Sequence, residues 1–180
     1  MAKNDNAHSI RMIDSLKRNV GESASIDFAE KYPLSKAANI EKKYEWAKNV
    51  CHHLEEHFDS ETIMKVRKDC RCNDGKSIAD KLIKYLKKSS SIEQFVNTFN
   101  ENETFAFLEY ISDNKILFGY PQCYCACVKR VPEEITVTWC YCTLGNVEGI
   151  FREVFKKEIK ATLLDSVKTG GDRCVIEIEW

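Results

Sequence analysis

A chain of 180 residues, 43% hydrophobic and 31% charged, has the composition of a single globular domain, long enough to bury about 70% of its unfolded surface without covalent staples. The formal charge of -1, with acids and bases interspersed, gives no general electrostatic attraction to nucleic acid, and no stretch reaches the roughly 18 apolar residues of a membrane span. The first residues lack the apolar core of a signal peptide, so a cytoplasmic location is expected, where nine cysteines read as thiols, metal ligands or reactive groups before they read as disulfides.

In chain order, residues 9–19 predict a short helix, followed by a break at "VGESAS". From Ser35, a reasonable N-cap, the residues Ala37, Ile40, Tyr44, Ala47, Cys51, Leu54 and Phe58 recur at spacings of three and four, which predicts a long amphipathic helix. "SETIMKVRKDC" and "SIADKLIKYLKKSS" predict two further helices on either side of a "CRCNDGK" loop, and "SIEQFVNTFNEN" a fourth short one. After residue 102 the period changes. "TFAFLEYIS", "KILFGY", "QCYCACV", "ITVTWCYC", "EIKATLLDSV" and "RCVIEIEW" are rich in β-branched and aromatic residues and predict strands, with only "LGNVEGIFREVFKK" helical among them. The expected architecture is α+β: a helical N-terminal half, residues 1–102, packed on a C-terminal antiparallel sheet with one embedded helix, residues 103–180, all in one domain.

Five thiols fall within twenty residues. In strands, Cys123, Cys125 and Cys127 would share one face at about 6.6 Å intervals, as would Cys140 and Cys142, and a hairpin register near 125 opposite 140 would merge the two rows. With Cys70 and Cys72 of the loop, such a surface predicts a thiolate site for zinc, or less readily for copper(I) or an iron–sulfur cluster, although no C-x-x-C spacing is present. Cysteine is also a small hydrophobe, so core packing is the plain alternative for any one thiol, and Cys51 on the apolar stripe is read that way. A third use is nucleophilic catalysis. All four histidines lie before residue 58. His53 and His57, at i and i+4, suit joint ligation or a solvated helix face. Acid–base chemistry would fall to Glu109, Asp113, Glu133, Glu134 or Asp172, which no pattern singles out. "GKS" at 75–77 lacks the P-loop glycine, because Cys70 occupies its place.

Residues 139–180, with a glycine opening an amphipathic helix, a strand, and a Gly-Asp-x-Cys turn into a final strand, resemble the C-terminal part of the vinyl-4-reductase or hydrocarbon-binding domain family. That resemblance implies an α/β fold shared with Golgi-transport subunits and haem-based nitric-oxide sensors, enclosing a small apolar ligand. The segments "RKDCRC", "YPQCYCACV" and "TWCYCTLG" resemble a narrower group related to L-2-amino-thiazoline-4-carboxylic acid hydrolases. Phenol-sensing regulators with the domain hold zinc through cysteines and a glutamate. Superposing the glycine turns places two of those ligands on Cys140 and Cys174 and the other two on Leu163 and Ser166, which cannot ligate in their stead.

The resulting expectation is a small-molecule binding module with an apolar cavity and a cysteine-rich zinc site. Its ligands would come from Cys70, Cys72, Cys123, Cys125, Cys127, Cys140, Cys142 and Cys174, and its cavity would be lined by Tyr120, Tyr124, Trp139, Tyr141 and Phe151. The alternatives are a hydrolase of a cyclic amidine or thiazoline, acting through a Cys thiolate or a metal-bound water, and a structural subunit that binds a protein. The partners expected are a small-molecule ligand and a homodimer mate, with neither nucleic acid nor membrane.

Overall fold

The computed structural model describes residues 3–180, in which seven α-helices and four strands follow the order α1 (Ala7–Asn19), α2 (Glu22–Lys31), α3 (Ile40–His57), α4 (Ser60–Asp69), α5 (Lys76–Leu86), α6 (Ile92–Asn102), β1 (Phe107–Ser112), β2 (Lys115–Tyr120), α7 (Val137–Phe155), β3 (Lys160–Asp165) and β4 (Cys174–Glu179). The fold is α+β, with an antiparallel four-stranded sheet of order β1-β2-β4-β3 and α7 inserted between β2 and β3.

The chain divides into two compact units with interleaved segments: residues 1–72 with 125–145, and residues 73–124 with 146–180. In the first unit, α1 to α4 bury Met12, Leu16, Phe28, Trp46, Val50, Leu54 and Val66. Polar ties set the packing of these helices. Ser15 Oγ donates to the Val66 carbonyl at 2.7 Å, Arg18 pairs with Asp69 at 2.7 Å, and the Trp46 indole donates to the Tyr32 carbonyl at 2.9 Å. Capping residues start the helices where the sequence offers a short oxygen acceptor: Asp59 caps α4 through the Thr62 amide and Asn39 caps α3 through the Lys42 amide. The α3 helix therefore starts later than the Ser35 cap would place it. A further helix, α2, occupies part of the expected break; only Ser25 and Phe28 of it are buried, too thin a stripe to register as a period.

In the second unit, Ile116, Phe118, Ile176 and Ile178 alternate inward along β2 and β4, and Phe95, Phe99, Leu108, Ile150 and Phe151 complete its core. The side chain of Asn100 donates to the Leu108 carbonyl and accepts from the Leu108 amide, tying α6 to the edge strand β1.

Two expected strands are absent. "QCYCACV" is an irregular segment leading into a single turn, in which the Val128 and Lys129 amides both donate to the Cys125 carbonyl. "ITVTWCYC" is a loop entering the first turns of α7. The alternation of Trp139, Cys140, Tyr141 and Cys142 imitates a strand over four residues, but the longer window shows the helical period, with Trp139, Leu144, Val147, Ile150, Phe151 and Val154 all buried. Two residues along a helix turn about 200° rather than returning to one face. The hairpin and its merged rows of thiols do not exist.

Candidate functional site

A buried arginine organises the thiols of the first unit. Ile63, Val66, Arg67 and Cys70 form the inward stripe of α4 and its C-terminal cap, and Arg67 is only 3% exposed. Its guanidinium lies 4.4 Å from the Trp139 ring centre, donates from Nε to the Thr138 carbonyl at 3.2 Å and from Nη2 to the Trp139 carbonyl at 2.7 Å, and approaches Met12 Sδ at 3.8 Å. None of the described carboxylates pairs with it. Burial opposes its charge, and the thiolate charge that Cys142 and Cys125 can carry works against that penalty.

A buried cation met only by two carbonyls and an indole face is costly, and a nearby thiolate would supply counter-charge. Two thiols are set up to supply it. Cys142 sits one helical turn after Trp139, where i and i+3 share a face, with its Sγ 3.5 Å from the Trp139 carbonyl. A hydrogen bond from the Cys72 thiol, working against burial and helped by Arg67, lowers its pKa to about 7. The Cys127 thiol, together with the Trp139 indole that donates to Cys125 Sγ at 3.3 Å, the Cys127 amide and Arg67, lowers the Cys125 pKa to about 6 despite burial. The donors respond in the opposite sense: Cys72 is raised by its hydrogen bond to Cys142 and Cys127 by its bond to Cys125. Burial pushes Cys51 up to about 11 and also raises Cys70, which makes both poor thiolates.

These groups enclose a cavity of about 10 Å³ lined by His8, Arg11, Arg67, Cys70, Cys72, Cys125, Trp139 and Cys142, room for one water molecule. Cys72 is exposed and forms its rim. Arg11 contributes a second guanidinium. Its Nη2 lies 3.2 Å from His8 Nδ1, while its Nε is buried without a hydrogen-bond partner among the described residues. Burial, followed by Arg11, Arg67 and Lys43, lowers the pKa of His8 to about 4, so the imidazole stays neutral.

Of the eight expected metal ligands, Cys70, Cys72, Cys125, Cys127, Cys140 and Cys142 belong to the first unit, while Cys123 and Cys174 belong to the second. Among the described residues, no three His, Cys, Asp or Glu side chains are placed to hold a metal ion. The strand face on which the zinc ligands were expected does not form, because those residues lie in a turn and on a helix, while Cys70, Cys72, Cys125 and Cys142 line one cavity. No disulfide joins any of the nine cysteines. His53 is buried among Phe28, Tyr32, His57 and Phe58 rings. The aromatic residues expected around a ligand are likewise distributed. Trp139 covers Arg67 and Tyr141 follows it on α7, whereas Tyr120, Tyr124 and Phe151 join Phe118 in a chain of edge-on rings in the second unit. There Tyr120 pairs in register with Cys174, and burial raises its phenol pKa.

Arg67, Arg11 and His8 were not singled out by motif. Arg67 had a signal nonetheless: Ile63, Arg67 and Cys70 are spaced i, i+4, i+7, which places a charged residue on an apolar stripe.

A sequence-family profile described as "Family of unknown function (DUF6144)" matches residues 7–180. The chain belongs to this family. No curated protein sequence matches it. Among solved structures, it is similar to an H-NOX protein from Shewanella oneidensis in the Fe(II)NO ligation state, with 15% identity, 97% of this chain and 98% of that one covered, and a TM-score of 0.47. The H-NOX domain from the same organism in the Fe(II)CO state gives 13%, 97% of each chain and 0.46. A mutant H-NOX protein from K. algicida gives 8%, 97% and 95%, and 0.44. Likeness of this degree carries no inference about the DUF6144 chain's chemistry.

Proposed function

We propose that the protein binds a small, polar, thiol-reactive molecule in the cavity beside Arg67, with the Cys142 thiolate as the group that meets it. The observation that carries this reading is the buried Arg67 guanidinium, which has thiols where a carboxylate would ordinarily stand. Cys125 is the more acidic thiol, but its donors Trp139 and Cys127 hold it in place, and Cys127 is fully buried. Cys142 has the exposed Cys72 beside it and a face on the cavity.

This reading keeps small-molecule binding and replaces zinc by a thiolate as the working group. A cyclic amidine or thiazoline as substrate is not supported, because a ring does not fit space for a single water.

The test is alkylation of the full-length protein by iodoacetamide, with the modified positions mapped by mass spectrometry across pH 5 to 10. Cys142 should label in a fast phase that titrates near pH 7, well ahead of Cys51 and Cys70. Labelling of Cys142 only above about pH 8.5, the range of an ordinary thiol, would reject the assignment.

A further inference from the structure

We propose that the molecule received at this centre is a hydroperoxide, and that Cys142 and Cys72 reduce it as an attacking and a resolving thiol. The inference rests on the reading of Cys142 as the reacting group and adds the substrate class and the second residue. Three features point to it. The cavity has room for an oxygen-sized group beside Cys142. Two guanidiniums border it, and the buried Nε of Arg11 is a donor in want of an acceptor, as the departing oxygen of a broken O–O bond would be. Cys72 borders the same cavity as Cys142, and its exposure leaves it open to a reductant from solvent.

The chemistry balances with these groups. The Cys142 thiolate attacks one peroxide oxygen; the S–O bond forms, the O–O bond breaks, and the leaving hydroxide or alkoxide takes a proton from water. Cys72, giving up its proton, then attacks the sulfenic sulfur. The S–S bond forms, the S–O bond breaks, and the hydroxyl leaves as water with that proton. Two thiols lose two electrons, and the peroxide becomes water or an alcohol plus water. A dithiol reductant restores the pair by exchange at Cys72.

The experiment uses the reduced full-length protein, freed of reductant and mixed with one equivalent of hydrogen peroxide. Thiols are counted over time and disulfides mapped by mass spectrometry. The expected result is loss of two thiols per chain, a Cys72–Cys142 disulfide, and a rate at least about tenfold that of free cysteine at the same pH. Cys72→Ser, at an exposed position, should stop at a sulfenic acid on Cys142 that a cyclic diketone traps. Oxidation no faster than free cysteine, or a disulfide formed elsewhere such as between Cys125 and Cys127, overturns the proposal. The unaltered chain decides this, so a poorly folded Cys142→Ser variant does not bear on it. If iodoacetamide labels Cys142 rapidly while peroxide does not react, only the peroxide assignment falls. If neither reagent finds Cys142 reactive, the underlying thiolate reading falls with it.

Discussion

Arg67 brings a permanent positive charge into a place where its partners are two carbonyls, an indole face and sulfur. Arg67→Met keeps the aliphatic stem and removes the charge. It should lower stability by about 2–3 kcal/mol, less than truncation would, because the Thr138 and Trp139 carbonyls lose charged donors while the stem still packs. The same substitution should move the fast labelling of Cys142 from near pH 7 towards the ordinary thiol range, since both the Coulombic support and the geometry of α4 against α7 weaken. Chemical denaturation and the labelling profile measure the two effects separately. His8 makes a different forecast. It is a base whose folded pKa, about 4, lies below its usual value, so the unfolded chain binds its proton first as pH falls. Stability is therefore lost as pH drops from about 6.5 towards 4, and His53, also lowered by burial, adds in the same direction. Burial is the main cause and the Arg11, Arg67 and Lys43 charges act in the same direction, which fixes the sign even with Cys125 and Cys142 on the same cavity. His8→Gln should flatten the dependence of the melting temperature on pH in that interval.

Among the elements, α7 is where sequence and structure part, and Gly145 shows how it is held. A Cβ at that position would come 1.9 Å from the Lys68 carbonyl oxygen, so the last turn of α4 lies directly on the α7 backbone. Gly145→Ala should cost about 2 kcal/mol or more, because the obstructing atom is main chain and cannot rotate away. It should also slow disulfide formation between Cys72 and Cys142, since the loop after α4 would be pushed off the helix; thermal melts and thiol counts after peroxide would show both. The helices α3 to α6 and the strands β1 to β4 were legible because each has a stripe or an alternation longer than its own period, and several have capping residues at their starts. The start of α7 was not, because its β-branched and aromatic residues favour a strand locally and only the burial of Leu144 to Val154 further along settles it. For the site, the sequence marked Cys70, Cys72, Cys125 and Cys142 as unusual. It could not pair them, because pairing Cys72 with Cys142 depends on packing between distant segments.

At the level of the whole molecule, neither compact unit is a continuous piece of chain. The first needs residues 125–145 to supply the Trp139 ring that covers Arg67 and the carbonyls that accept from it. A fragment ending at residue 72 would retain α1 to α4 but strip Arg67 of the Trp139 ring and of both carbonyls that accept from it. Such a fragment should keep helical circular dichroism and lack a cooperative thermal transition, whereas the full chain should melt cooperatively.

Cys72 and Cys142, neighbours on one cavity, are far apart along the chain. A covalent link between them would close a loop of roughly 70 residues and remove chain entropy worth about 4 kcal/mol from the unfolded ensemble. The oxidised protein should then outlast the reduced one in heat and against protease. Exposure to peroxide would leave a record in how long each molecule survives, readable long after the peroxide itself is gone.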